Sequence, residues 1–185
     1  MAKPSKEQVI LLDELRDFVL DVMRDMPEWV DAKVERLHSI PLGVLRRNAT
    51  QRHGVTRWKR GVDLRSLQPE DVEVIDIHPK MLNQQWKAYS AFVLHHEYIH
   101  ALGLRAHNTL FRQLEAAWPG RTASEHGIQF TEHLRLEKAI WLWCCPDCKQ
   151  EFPRQKPSRE KYRCRKCNTV LLDKKNPNIV QTSNH

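Results

Sequence analysis

His95-His96-Glu97-Tyr98-Ile99-His100 is the stretch on which the reading of this chain turns. His96, Glu97 and His100 spell H-E-x-x-H. On an α-helix, positions i and i+4 share a face, so His96 and His100 can both reach one metal ion. Glu97 stands at the edge of that face, where a carboxylate can take a proton from a zinc-activated water. The pattern is that of zinc peptidases, but it is short, and the rest of the chain must supply a buried helix and a third ligand.

The flanking sequence supplies the helix. Residues 84–102 include Trp86, Tyr89, Phe92, Val93, Leu94, Ile99 and Leu102, apolar over much of a helical surface, and Gly103 is placed to end it. A catalytic zinc site needs three protein ligands and one open position. The extended metzincin pattern would put the third histidine at position 106, which is alanine. His107 follows, just beyond the turn at Gly103, and is the favoured third ligand. The alternative is His126, ahead of Gly127 and Phe130, and a carboxylate such as Glu115 or Glu132 is a further one. His38, His53 and His133 read as surface or hydrogen-bonded residues. His78 and His95 can line the cleft, and Tyr98, His78 and His126 are candidates for stabilising an oxyanion.

Upstream, residues 6–26 repeat Leu11, Leu15, Phe18 and Val22 at helical spacing, with Ser5 as N-cap and Pro27 as stop. A second, shorter helix is expected through Val30, Val34 and Leu37, so the N-terminal helices span 6–38. Between 41 and 80, Pro41, Gly43, Gly54, Gly61, Pro69 and Pro79 punctuate β-prone pieces. Strands are expected near 42–47, 54–59 and 72–77, in a small, mostly antiparallel sheet because the connections are short. Asn108 should cap a helix running to Trp118, and a last helix should cover about 123–142.

The five cysteines all lie between 144 and 167. Cys145, Cys148, Cys164 and Cys167 form C-x2-C-x15-C-x2-C, the spacing of a four-cysteine structural zinc site, with Cys144 left over. Clustered thiols point to metal in a reducing compartment rather than to disulfides. A zinc ribbon over 144–173 is expected, with strands near 150–152, 161–163 and 169–172 and a polar tail at 174–185.

The chain has 185 residues, 41% hydrophobic and 29% charged, with net charge +7, enough for one domain and an appendage. Arg154, Lys156, Arg159, Lys161, Arg163, Arg165 and Lys166 crowd the ribbon, interleaved with Phe152 and Tyr162. A second cluster joins Arg46, Arg47, Arg52, Arg57, Lys59 and Arg60 with Trp58. Such stripes suit single- or double-stranded DNA, read through its backbone with little sequence preference. Acidic residues interrupt the N-terminal segment, and no run approaches the roughly 18 apolar residues of a membrane span. A cytoplasmic, DNA-associated protein with no membrane partner is therefore expected.

In its order of elements, the chain resembles the SprT-like zinc metalloproteases, which include the Spartan proteases. The carriers are the H-E-x-x-H helix, His107-Asn108-Thr109-Leu110-Phe111 as a third histidine with an aromatic at a helix start, Arg52-His53-Gly54-Val55-Thr56 as a glycine-containing strand entry, and the cysteine-rich C-terminus. His126-Gly127-Ile128-Gln129-Phe130 matches the H-G-x-x-F wording more literally but lies far from His100. The resemblance covers roughly residues 5–172. It implies an α+β chain: a zincin-like metalloprotease domain (1–143) with active-site helices at 84–142, then the ribbon. It also implies an endopeptidase with one catalytic and one structural Zn2+, acting on proteins bound or crosslinked to DNA. The alternatives are a nucleic-acid-binding zinc-ribbon protein on a non-catalytic scaffold, and a zinc hydrolase whose ribbon is purely structural.

Overall fold

The computed structural model describes residues 3–30, 34–120 and 123–179. It is α+β and divides into two compact units, residues 1–126 and 127–185.

The first unit opens with α1 (Lys6–Asp25). Ser5 accepts a hydrogen bond from the Gln8 backbone and Gln8 returns one to Ser5, a reciprocal cap on the first turn. The helix buries Leu12, Leu15, Val19, Leu20 and Met23 on one stripe. Beyond Pro27 the expected second helix is instead two 3₁₀ pieces, Pro27–Trp29 and Val34–Ser39, and residues 31–33 of that expectation lie outside the described residues.

Strands β1 (Leu42–Val44), β2 (Gly54–Trp58) and β3 (Val72–Ile77) form a sheet in the order β1-β3-β2. The β2–β3 pairing is antiparallel, but β1 pairs with β3 in parallel, which corrects the mostly antiparallel expectation. The chain leaving β1 runs through β2 before reaching β3. That connection is long enough to bring β3 back beside β1 in the same direction.

Helix α2 (Lys87–Ala101) carries the H-E-x-x-H stretch and packs on α1, β2, β3 and α3 (Thr109–Ala116). It is buried on several faces, with Leu94, Tyr98, Ile99 and Ala101 fully enclosed. Gly103, at φ +100, closes it. Gly103 N–H donates to His100 O at 2.8 Å and Leu104 N–H to Ile99 O at 3.4 Å, the paired bonds of a Schellman turn. Asn108 caps α3 by accepting from Phe111 N–H at 2.9 Å.

Helix α4 (Ala123–Lys138), which the division between units crosses, stops short of the expected 142. Trp141–Cys144 is a strand, β4, central in a second sheet between β5 (Glu151–Arg154) and β6 (Leu172–Lys175), both antiparallel to it. The bulky, partly β-favouring run Trp141-Leu142-Trp143-Cys144 suits a pleated surface better than a further helical turn. The strands expected near 161–163 and 169–172 reduce to a single bridge, Arg163 with Val170. Lys174 and Lys175, expected in a frayed tail, belong to β6, and a 3₁₀ turn follows at Pro177–Ile179; 180–185 lie outside the described residues.

Asn176 ties the second unit together. Its buried side-chain amide donates to Leu136 O at 2.9 Å and to Ala139 O at 2.7 Å, and its backbone N–H to Ile140 O at 3.0 Å. Asn176→Ala leaves two carbonyls without that donor and should cost about 1–3 kcal/mol. A denaturant midpoint equal to that of the unaltered protein would contradict this.

Candidate metal and catalytic sites

Two groups of side chains among the described residues have metal-site geometry, and each lies within one unit. The first is His96, His100 and His107, with one ring nitrogen from each within 4.8 Å of the others. His96 and His100 sit one turn apart on α2. The Schellman turn and the Asn108 cap then bring His107 back over them, with its Nε2 3.1 Å from His100 Nε2. Two nitrogens bound tetrahedrally at 2.0–2.1 Å stand about 3.3 Å apart, so the spacing fits a shared ion. Phe111, fully buried, packs against all three rings at centroid distances of 4.5–4.9 Å.

The outward nitrogens of two of these rings are held. Leu104 O accepts from His100 Nδ1 at 2.7 Å; a carbonyl can only accept, so the proton sits on Nδ1 and the Nε2 lone pair faces the cluster. The Glu115 carboxylate accepts from His96 Nδ1 at 2.6 Å and is itself gripped by Arg112 at 2.7 Å. Such partners orient imidazole ligands and raise their basicity. Burial works to raise Glu115, but hydrogen bonds from His96 and Arg112 outweigh it and hold the carboxyl below its usual value. Burial pushes His100 down to about 4 and also lowers His96, so both rings are neutral, as ligands must be.

Glu97 is only 5% exposed, and burial raises it to about 7 against the hydrogen bond from Thr56. Thr56 Oγ1 donates to Glu97 Oε2 at 2.7 Å from β2. Gly54, two residues earlier, lies so close to α2 that a Cβ there would stand 2.7 Å from Glu97 Oε1 and from Val93 Cγ1. Gly54, Thr56, Glu97 and the three histidines line one cleft of about 330 Å³, with Arg52, Trp58 and Arg105 at its margins.

Other histidines sit elsewhere. His126 meets Tyr89 edge-on at 6.5 Å and is not part of the three-histidine group. His78 is fully buried, with Nδ1 accepting from Lys80 N–H and Nε2 beside Ala49 O, so it does not line the cleft as expected. His95 is enclosed between Trp29 and Trp118, and burial lowers it to about 3. Tyr98 is fully buried. His53, expected at the surface or hydrogen-bonded, is half-buried, bonds to Tyr89 Oη at 2.6 Å and shares a cavity with His96 and Glu97. The bond from Thr56 to Glu97, the Tyr89 partner of His53 and the orienting role of Glu115 are not readable from spacing; only the fold brings these groups together.

The second group is Cys145, Cys148, Cys164 and Cys167, with sulfurs within 4.8 Å of one another. Cys148 and Cys164 Sγ atoms are 3.7 Å apart, close to the roughly 3.8 Å of a tetrahedron with 2.3 Å Zn–S bonds. Two turns of the same form present them. Lys149 N–H donates to Cys145 O and Cys145 N–H to Gln150 O; likewise Asn168 N–H donates to Cys164 O and Cys164 N–H to Thr169 O. Lys149 and Asn168 occupy equivalent places with φ 61 and 57. Leu171, Trp143 and Phe152 pack beside the sulfurs. Cys144 points away, toward Leu142 O and Glu151. The basic residues named from the sequence, Arg154, Lys156, Arg159, Lys161, Arg163, Arg165 and Lys166, are all exposed. Trp143 and Tyr162 stack at 4.5 Å and Arg154 lies over Trp143 at 5.0 Å.

Residues 140–175 match the SprT-like zinc ribbon domain, which together with the cysteine cluster indicates a structural zinc site. Two proteins called "Protein SprT-like" are similar to the chain. The one from Streptococcus equi subsp. zooepidemicus (strain H70) is 25% identical over 107 residues, 54% of this chain and 69% of that protein. Its counterpart from Streptococcus equi subsp. equi (strain 4047) is 24% identical over the same shares. No solved structure matches the chain. Among the described residues no helix is long and apolar enough to cross a membrane.

The close approach at Gly54 is directly testable. Gly54→Val should separate β2 from α2 at Glu97 and lower stability by about 1–3 kcal/mol in chemical denaturation. An unchanged midpoint would show that the strand gives way freely there.

Proposed function

We propose that this SprT-like chain is a zinc-dependent endopeptidase with a zincin-like active site, cutting proteins bound or crosslinked to DNA. The observation that carries the reading is the meeting of three imidazoles, two of them oriented by partners on their outward nitrogens, beside a buried carboxylate in an open cleft. A catalytic zinc would be held by His96, His100 and His107. When bound, it supplies Lewis acidity that acidifies a water and polarises the scissile carbonyl.

The chain's own groups do the rest. Glu97 accepts the proton of the attacking water and passes it to the leaving amine. Thr56 holds one carboxylate oxygen, leaving the other for proton transfer. Glu115 and Leu104 O keep His96 and His100 turned toward the metal. Phe111 closes the back of the site with apolar surface. The second unit's exposed basic residues and the Trp143–Tyr162 stack support binding of nucleic acid through backbone charge and base stacking. Four cysteines grouped to share one metal, none of them in a disulfide, suit a reducing, cytoplasmic setting.

The test is cleavage of a DNA-binding protein by zinc-loaded protein, with and without DNA and at low and high salt. Glu97→Gln should keep its zinc and lower kcat by about 10²–10⁴-fold. The effect of DNA should fade as salt rises. Undiminished cleavage by Glu97→Gln would remove Glu97 from its role.

A further inference from the structure

The cleft over the three histidines carries positive charge that the chemistry above does not use. Arg52 and Arg105 both line it. Both side chains are exposed, and among the described residues neither guanidinium makes an ion pair or hydrogen bond. Neighbouring arginines are engaged: Arg57 pairs with Asp76, and Arg112 with Glu115. The nearby acids are engaged as well, since Glu97 is buried against Thr56 and Glu115 is held by His96 and Arg112.

Strand β2 locates these cations relative to the chemistry. Its side chains alternate, so Gly54, Thr56 and Trp58 share the face toward α2. Gly54 abuts Glu97 and Thr56 bonds to it. Arg52 stands two residues before Gly54, just ahead of the strand, and Trp58 ends the strand four residues beyond Gly54, about 13 Å away. Arg105 stands two residues before His107, on the turn between α2 and α3. A polypeptide with its scissile bond at Glu97 therefore places the flanking residues among two unneutralised guanidiniums.

Resting on the peptidase reading, we infer that the cleft selects polypeptides with an acidic side chain within two residues of the scissile bond, with Arg52 and Arg105 as the specificity determinants. A carboxylate there accepts the planar guanidinium fork, whereas a lysine or arginine meets like charge.

The test is to incubate the zinc-loaded protein with a mixed peptide library and read the cut sites by mass spectrometry. Asp and Glu within two positions of the cut should be enriched by about three- to tenfold. Arg52→Gln with Arg105→Gln should abolish the enrichment, and the double change to Glu should shift it toward Lys and Arg. Binding of acidic and basic fluorescent peptides to the Glu97→Gln protein should show the same preference without turnover. Unfolding midpoints and zinc content show that the variants are folded, and the profile of the unaltered protein decides even if one is not. Cleavage without acidic enrichment, or enrichment that survives both substitutions, overturns the inference and leaves the peptidase reading standing. So does a double variant whose profile is unchanged but whose affinity for an oligonucleotide falls, because the arginines then serve phosphates. No cleavage of any peptide by the unaltered protein overturns both.

Discussion

Strand β2 lies against α2 with no room for a side chain at the point where they meet. A glycine at position 54 allows that approach, and Thr56, on the same face, uses it to bond Glu97. In the sheet β2 is an edge strand, with β3 between it and β1, and both β2 and β3 meet the helix. The carboxylate then sits almost wholly out of water, in contact with a strand on one side and its own helix on the other. Burying a carboxylate is unfavourable, and the fold tolerates it because α2 is anchored on its remaining faces by α1, β3 and α3.

The histidines are arranged by backbone as much as by side chains. Gly103 ends α2 in a left-handed turn, and that turn delivers the Leu104 carbonyl to His100 Nδ1. The same turn returns the chain so that Asn108 can cap α3, with His107 just ahead of the cap. Helix α3 in turn brings Phe111 behind the rings and Glu115 to His96. One helix end thus sets the tautomer of one ring and the position of another. In the ribbon, two matching turns, each with one left-handed residue, bring four sulfurs within 4.8 Å of one another beside a small apolar cluster.

How much of this was legible in the sequence depends on how local each feature is. The stop of α2 at Gly103, the Ser5 and Asn108 caps and the cysteine spacing are written within a few residues of one another, and the structure has them, while the expected first turn of α2 is the 3₁₀ piece Gln84–Trp86. The parallel β1–β3 pairing was not readable, because it depends on where a long connection returns. The first half of β4 falls in the expected helix because Trp141-Leu142-Trp143 is apolar without a clear period, and the strand's partners lie in β5 and β6. The bonds of Thr56 to Glu97 and of Tyr89 to His53 escape the sequence for the same reason: they come from packing that no spacing announces. His78, at a strand end, has the look of a cleft residue, yet the following 3₁₀ turn engages its Nδ1 through Lys80 N–H, and its Nε2 faces Ala49 O.

The central claim is that the three-histidine group is a metal centre distinct from the ribbon. Zinc content per chain, measured on the intact protein and on His107→Ala after removal of loosely bound metal, tests it most directly. The account predicts two zinc ions per chain, falling to one in the variant while the ribbon stays folded. A single zinc in the unaltered protein, unaffected by His107→Ala, would contradict it.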